Sequence, residues 1–90
     1  METEMQQPVY EVVFQGEDGL LKASIWQRWD RIWGTLYSVS FHRCRSEETD
    51  EWDPALRFDF GELSAMSGLA RYVEDWIMAH YSSNRGANDA

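Results

Sequence analysis

Residues Gly61 to Tyr81 read GELSAMSGLARYVEDWIMAHY. On a wheel of about 100° per residue, Leu63, Met66, Ala70, Val73, Ile77 and Tyr81 form one apolar stripe. Ala65, Leu69, Tyr72, Trp76 and Ala79 form a second stripe beside it. Together they span roughly 200° of the wheel, leaving Ser64, Ser67, Gly68, Arg71, Glu74 and Asp75 on the remaining arc. A helix that covers one sheet needs only about 100° of apolar surface. The excess predicts a second partner, either more of the same chain or another copy of it. Ala65, Leu69, Tyr72 and Trp76 are the expected interface of a homodimer. Asp59 and Glu62 have capping-box spacing at the start, with Gly61 as an alternative N-cap. The helix is expected to end at Tyr81, before a polar tail.

Upstream of the helix, the pattern changes to period two. Thr35 to Arg43 places Tyr37, Val39 and Phe41 on one face and Ser38, Ser40 and His42 on the other, which predicts a half-buried strand. Leu20 to Arg28 alternates likewise, Leu21, Ala23 and Ile25 against Lys22, Ser24, Trp26 and Arg28. Val9 to Phe14 is β-branched and aromatic, and the Gly16 to Gly19 turn closes it. Gln27 to Gly34 reads as a connection, although Trp29, Ile32 and Trp33 make it apolar. Cys44 to Pro54 reads as an acidic loop, and Ala55 to Phe60 as a last strand with Leu56, Phe58 and Phe60 inward. Four strands joined by short connections favour an antiparallel meander. The expected fold is therefore α+β: a four-stranded antiparallel meander followed by one C-terminal amphipathic helix packed on one face.

The chain has 90 residues, enough for one small domain. Residues 1–8 and 82–90 are polar and are expected to be flexible, leaving 9–81 as the single domain. Five Trp, four Tyr and four Phe supply the apolar mass of a folded core. No apolar run approaches the roughly 20 residues of a membrane span, and the start Met1-Glu2-Thr3-Glu4 is acidic where a signal peptide is basic. The single Cys44 excludes an internal disulfide and fits a reducing cytoplasm.

Net charge is −8, which taken alone argues against nucleic acid, whose phosphates reward Lys and Arg. The charge is segregated, however. Lys22, Arg28, Arg31, Arg43, Arg45 and Arg57 lie between 22 and 57, whereas acids concentrate at Glu17-Asp18, in Glu47 to Asp53, on the helix and at the ends.

Lys22-Ala23-Ser24-Ile25-Trp26, Tyr37-Ser38-Val39-Ser40-Phe41 with Arg43, Asp50-Glu51-Trp52, Phe60-Gly61 with Leu63, and Trp76-Ile77 resemble the motifs of an uncharacterised family of short bacterial proteins. The resemblance runs from Leu21 to Ile77. The chain departs from that pattern in carrying Trp29 and Trp33 where a polar turn is usual, and in a shorter spacing between Phe60-Gly61 and the helical leucines. By topology alone, four strands then a helix is also similar to the Whirly and transcriptional-coactivator class of single-stranded-DNA-binding folds. Members of that class pair through their helices and present sheet faces to nucleic acid.

If the helix covers one sheet face, then Lys22, Ser24, Trp26, Arg28, Ser38, Ser40, His42 and Arg57 share the other. Cations for phosphates and a ring for base stacking make this face a candidate surface for single-stranded nucleic acid; the alternative is an ordinary wetted antiparallel face. Glu47, Glu48, Asp50, Glu51 and Asp53 are candidates for docking on a basic protein partner, in the manner of a small regulator or phage-type inhibitor. They lack the glycine and ligand spacing of a calcium loop. Trp29, Ile32 and Trp33 are read as core or dimer packing, otherwise as a docking hot spot. His42 and Cys44, two apart on a strand, lie roughly 6.5 Å from each other along it, too far for an activated nucleophile pair. They also lack two further zinc ligands. No catalytic residues, metal or cofactor are expected, and the chain reads as a non-enzymatic binding protein, with single-stranded nucleic acid on the exposed sheet face of a homodimer as the leading expectation and an acidic module docking on a basic protein partner as the alternative.

Overall fold

A computed structural model of the chain describes residues 7–16, 19–44 and 51–89, of which 82–89 are described as helical backbone only. The chain forms a four-stranded open sheet in the order β1-β2-β3-β4, with β1 at Tyr10–Gln15, β2 at Leu20–Asp30, β3 at Gly34–Cys44 and β4 at Asp53–Pro54. All pairings are antiparallel, so the sheet is a meander. A 3-10 turn at Phe60–Glu62 leads into helix α1, Leu63–Asp89. This is the α+β architecture expected.

Register follows the apolar pattern. Tyr10 sits opposite Ile25 and Ile25 opposite Val39; Val12, Ala23 and Phe41 form the next row. These side chains share the face beneath α1, and burial of Leu21, Ala23, Ile25, Leu69 and Val73 makes the core. A slip of one residue would turn the whole row to water.

Three elements differ from the expectation. Gln27–Gly34 is not a connection: β2 and β3 run on to Asp30 and from Gly34, leaving only residues 31–33 as the turn. Asp30 Oδ1 accepts the N–H groups of Ile32 (2.8 Å) and Trp33 (2.9 Å), holding the turn closed. Gly34 follows at φ +82°, a conformation that side-chain-bearing residues avoid. Trp29, Ile32 and Trp33 are 74, 77 and 75% exposed, so they are not core. Second, the strand expected at Ala55–Phe60 is absent. Its place is taken by the two-residue β4, and Leu56 and Phe60 face water while Phe58 packs on the core. Third, helical backbone continues past Tyr81 to Asp89.

Arg43 explains the second difference. It stands on the α1 face of β3, opposite Asp53. Its Nε and Nη2 donate to the two carboxylate oxygens of Glu62 (2.8 and 2.9 Å), and Nη2 also donates to the Arg57 carbonyl (2.6 Å). Phe58 lies under the guanidinium at 5.6 Å. The segment after β4 is thereby folded toward the helix start instead of along β3. Glu62 also accepts the Asp59 N–H (2.9 Å), so Asp59, not Gly61, is the N-cap.

Both helical stripes contribute to the core, Val73, Met66 and Ile77 from the first and Leu69, Ala65 and Trp76 from the second. Leu69 is fully buried and Ala65 and Trp76 pack on the chain's own core. Trp76 lies between the Tyr10 ring (5.3 Å, stacked) and the His80 ring (3.6 Å, stacked), with Tyr37 edge-on at 5.8 Å. Tyr72 meets Phe14 edge-on, and its hydroxyl is 3.2 Å from that of Tyr10. Of the residues expected at a homodimer interface, Ala65, Leu69 and Trp76 thus pack on the chain's own core, while Tyr72 touches Phe14 and Tyr10 and remains 44% exposed.

Candidate functional site

α1 packs chiefly on β1 and β2 and leaves β3 beside it. Between them runs a groove of about 330 Å³. Val39 and Phe41 of β3 form its floor; Ala70, Val73, Ile77, Met78 and Tyr81 of α1 form its wall, with Glu74 as its one charged lining residue. Ala70 is exposed and Met78 is 60% exposed. Apolar surface is therefore left uncovered on both flanks of the helix, at Ala70 and Met78 beside β3 and at Tyr72 and Ala79 on the other side. Sequence reasoning placed Ala70, Val73, Ile77 and Tyr81 on one apolar stripe but left Met78 out, because a wheel has no information about which half of the sheet the helix crosses.

The opposite sheet face carries most of the residues expected there. Lys22, Ser24, Trp26 and Arg28 of β2 lie beside Ser38, Ser40 and His42 of β3, paired Lys22 to His42, Ser24 to Ser40 and Trp26 to Ser38. Arg57 is not among them; it lies on the connection between β4 and the helix. The surroundings of these groups matter more than their list. Glu11 of β1, which sequence reasoning left out, accepts a hydrogen bond from the Ser24 hydroxyl (3.1 Å) and sits 3.5 Å from the Lys22 ammonium. Trp52 folds back from the acidic segment so that Lys22 lies 4.5 Å over its ring. Trp26 Nε1 donates to the Ser40 hydroxyl (2.9 Å), and its ring is half-buried. Ser24 is buried. Lys22, Ser24, Trp26 and Ser40 are thus already engaged with one another, with Glu11 or with Trp52, while Arg28 and Ser38 remain exposed. The signal for Glu11 was its position: it alternates with Tyr10 and Val12 and so had to face away from the helix.

Of the acidic candidates, Glu51 and Asp53 are exposed, and Glu47, Glu48 and Asp50 lie outside the described residues. His42 Nδ1 is buried with no hydrogen-bond partner among the described residues, and Cys44 is buried beside β2 opposite Leu20. Among the described residues, no group of three or more His, Cys, Asp or Glu is placed to hold a metal ion, and no helix is long and apolar enough to cross a membrane.

At the hairpin tip, the hydrogen bonds from Trp33 and Ile32 hold the Asp30 carboxyl below the usual carboxylate range. The end of the hairpin displays Trp29, Ile32 and Trp33 to solvent. Tyr10 is held above its ordinary value, first by the hydrogen bond to Tyr72. Arg43 is held above the ordinary arginine value by its bonds to Glu62.

Comparisons of the chain with known protein families, curated proteins and solved structures find no match to any of them.

Proposed function

We propose that the chain is a non-enzymatic protein-interaction module, cytoplasmic as its single cysteine suggests, that seats a partner segment in the α1–β3 groove. The observation that carries this reading is the groove itself: an open trough whose lining is apolar but for Glu74. Concave, mostly apolar surfaces enclosing about 300–1,000 Å³ are the usual form of a binding site. Met78 adds an unbranched, adaptable side chain of the kind that suits a variable partner. The net charge of −8 favours a basic partner, as the acidic stretch around Glu51 and Asp53 does. Single-stranded nucleic acid on the other face ranks below this, because Lys22 is already shared between Glu11 and Trp52.

Selection from a displayed library of random peptides tests the proposal, with wild type and the surface variants Met78→Glu and Ala70→Glu as targets. Both positions are exposed, so the fold tolerates the change. Peptides enriched on wild type are expected to bind either variant at least about tenfold more weakly, the equivalent of about 1.4 kcal/mol. If nothing enriches, or the enriched peptides bind all three proteins alike, the groove is not a docking site.

A further inference from the structure

We infer that the occupant of the groove is an extended segment of a partner protein that adds as a strand to the outer edge of β3, with apolar side chains at alternate positions and basic ones among the rest. This rests on the groove being a docking site, and specifies its ligand and binding mode.

The backbone supplies the first argument. Ala55 N–H donates to the Phe41 carbonyl (2.9 Å), so Phe41 presents its peptide groups away from β2. Backbone direction in an antiparallel ladder alternates by residue. Val39, Tyr37 and Thr35 therefore present theirs to the same outer side, while Ser38 and Ser40 turn theirs toward β2. β4 pairs with His42 and Arg43 only. Among the described residues, no strand neighbours β3 from Gly34 to Ser40. An unguarded edge of this kind is a template for another strand, and chains usually block it with Lys, Pro or a bulge. Residues 34–41 contain neither proline nor any charged residue. The other edge, β1, has Pro8 before it and Glu11 within it.

The side chains supply the second. Residues of an added strand opposite Tyr37 and Val39 place their side chains on the same face as these two, which is the face of α1. That direction leads into the groove, whose floor is Val39. Strand addition beside a helix thus satisfies backbone and side chains together: peptide bonds on the β3 edge give affinity, and the groove selects an apolar residue at every second position. β4 already occupies the first two places of this lane, so an added segment extends an existing pairing.

Charge decides between occupants. A second copy entering by its own β3 would bring another −8 and another Glu74 to the contact. A segment with Lys or Arg between its apolar residues meets opposite charge instead.

The test is amide hydrogen exchange by NMR on the full chain, free and saturated with the peptide selected as above. Tyr37 and Val39 amides are expected to slow by at least about tenfold on binding, whereas Ser38 and Ser40, already turned to β2, stay unchanged. N-methylation of alternate residues in the same peptide should abolish binding in one parity and spare it in the other. If the peptide binds and Met78→Glu weakens it, yet Tyr37 and Val39 exchange as before, the groove reading stands and strand addition is wrong. If these two amides are already slow in the free chain and slow further with protein concentration, a second copy holds the edge and the inference fails. Absence of any selectable peptide removes the groove reading and this inference with it.

Discussion

At the scale of single residues, one pair joins the two halves of the fold. Arg43 leaves the end of β3 and Glu62 opens the helix, nineteen positions later. Their side chains are 18 and 8% exposed, and the contact is bidentate. Exposed ion pairs contribute little because water screens them. This one is mostly out of water, and its worth lies in the cost of orphaning either member. Glu62→Gln removes the charge, leaves the Arg43 guanidinium one neutral amide oxygen and the Arg57 carbonyl as acceptors, and weakens the cap on Asp59. We expect a loss of about 2–4 kcal/mol, read as a drop in the urea midpoint at unchanged slope. A loss below about 0.5 kcal/mol would mean that solvent screens the pair after all. Replacing Arg43 and Glu62 together should cost less than the sum of the single changes, since each variant strands the other's partner. Both residues stood in plain sight in the sequence, Arg43 closing one alternating run and Glu62 at capping-box spacing. Nothing in either pattern says that two such residues meet, because the meeting is made by the turn of the chain between them.

At the scale of elements, periodicity was a good guide wherever a partner strand lay beside the segment. β2 and β3 alternate and pair through all eleven residues of each. Their far ends were misread because Asp30 and Gly34 look like the borders of a long loop; in the structure they are the two closing residues of a tight one. Leu56, Phe58 and Phe60 alternate just as well, yet form no strand, since Arg43 draws the backbone at Arg57 away from β3. Alternation shows that a segment can be half-buried, and a free neighbour decides whether it is. Helix α1 was legible in its start and its apolar arc, while the choice of flank depended on how closely it approaches β1. Gly68 governs that approach: a Cβ there would stand 3.3 Å from Phe14 Cε2. Alanine in mid-helix gains up to about 1 kcal/mol over glycine. The Phe14 ring is half-buried near the end of an edge strand and is free to give by a few tenths of an ångström. Gly68→Ala should therefore raise stability by about 0.5 kcal/mol, and Gly68→Val should lower it by about 1–3 kcal/mol through overpacking. Thermal unfolding of both variants checks this; a clear loss with alanine would show that Phe14 is wedged and that the glycine is required for contact.

At the scale of the whole molecule, charge separates three kinds of association that shape alone leaves open. The chain carries −8, so two copies repel, and salt relieves that repulsion as the screening length falls from about 30 Å at 0.01 M to about 10 Å at 0.1 M. Self-association through any surface should therefore strengthen with salt. A segment with basic residues is attracted by the same field, and its binding should weaken with salt. Single-stranded nucleic acid also binds more weakly as salt rises, with a slope of about 0.7 per phosphate contact, but it first needs cations that are at liberty. On the sheet face Lys22 is held by Glu11 at 3.5 Å and lies on Trp52, which leaves Arg28 as the exposed cation among the β2 residues of that face. The expected outcome is a chain that sediments as a monomer at low salt and binds the selected basic peptide there most tightly. Affinity for that peptide should fall about tenfold between roughly 0.02 M and 0.5 M salt, and fluorescence anisotropy should find no binding of labelled oligo(dT) at the low end. Oligo(dT) binding at low salt that Trp26→Ala weakens would return function to the sheet face, because stacking on that ring is the contribution nucleic acid would lose. Peptide affinity that is flat across the series would leave the groove as an apolar site alone and remove charge from the choice of partner.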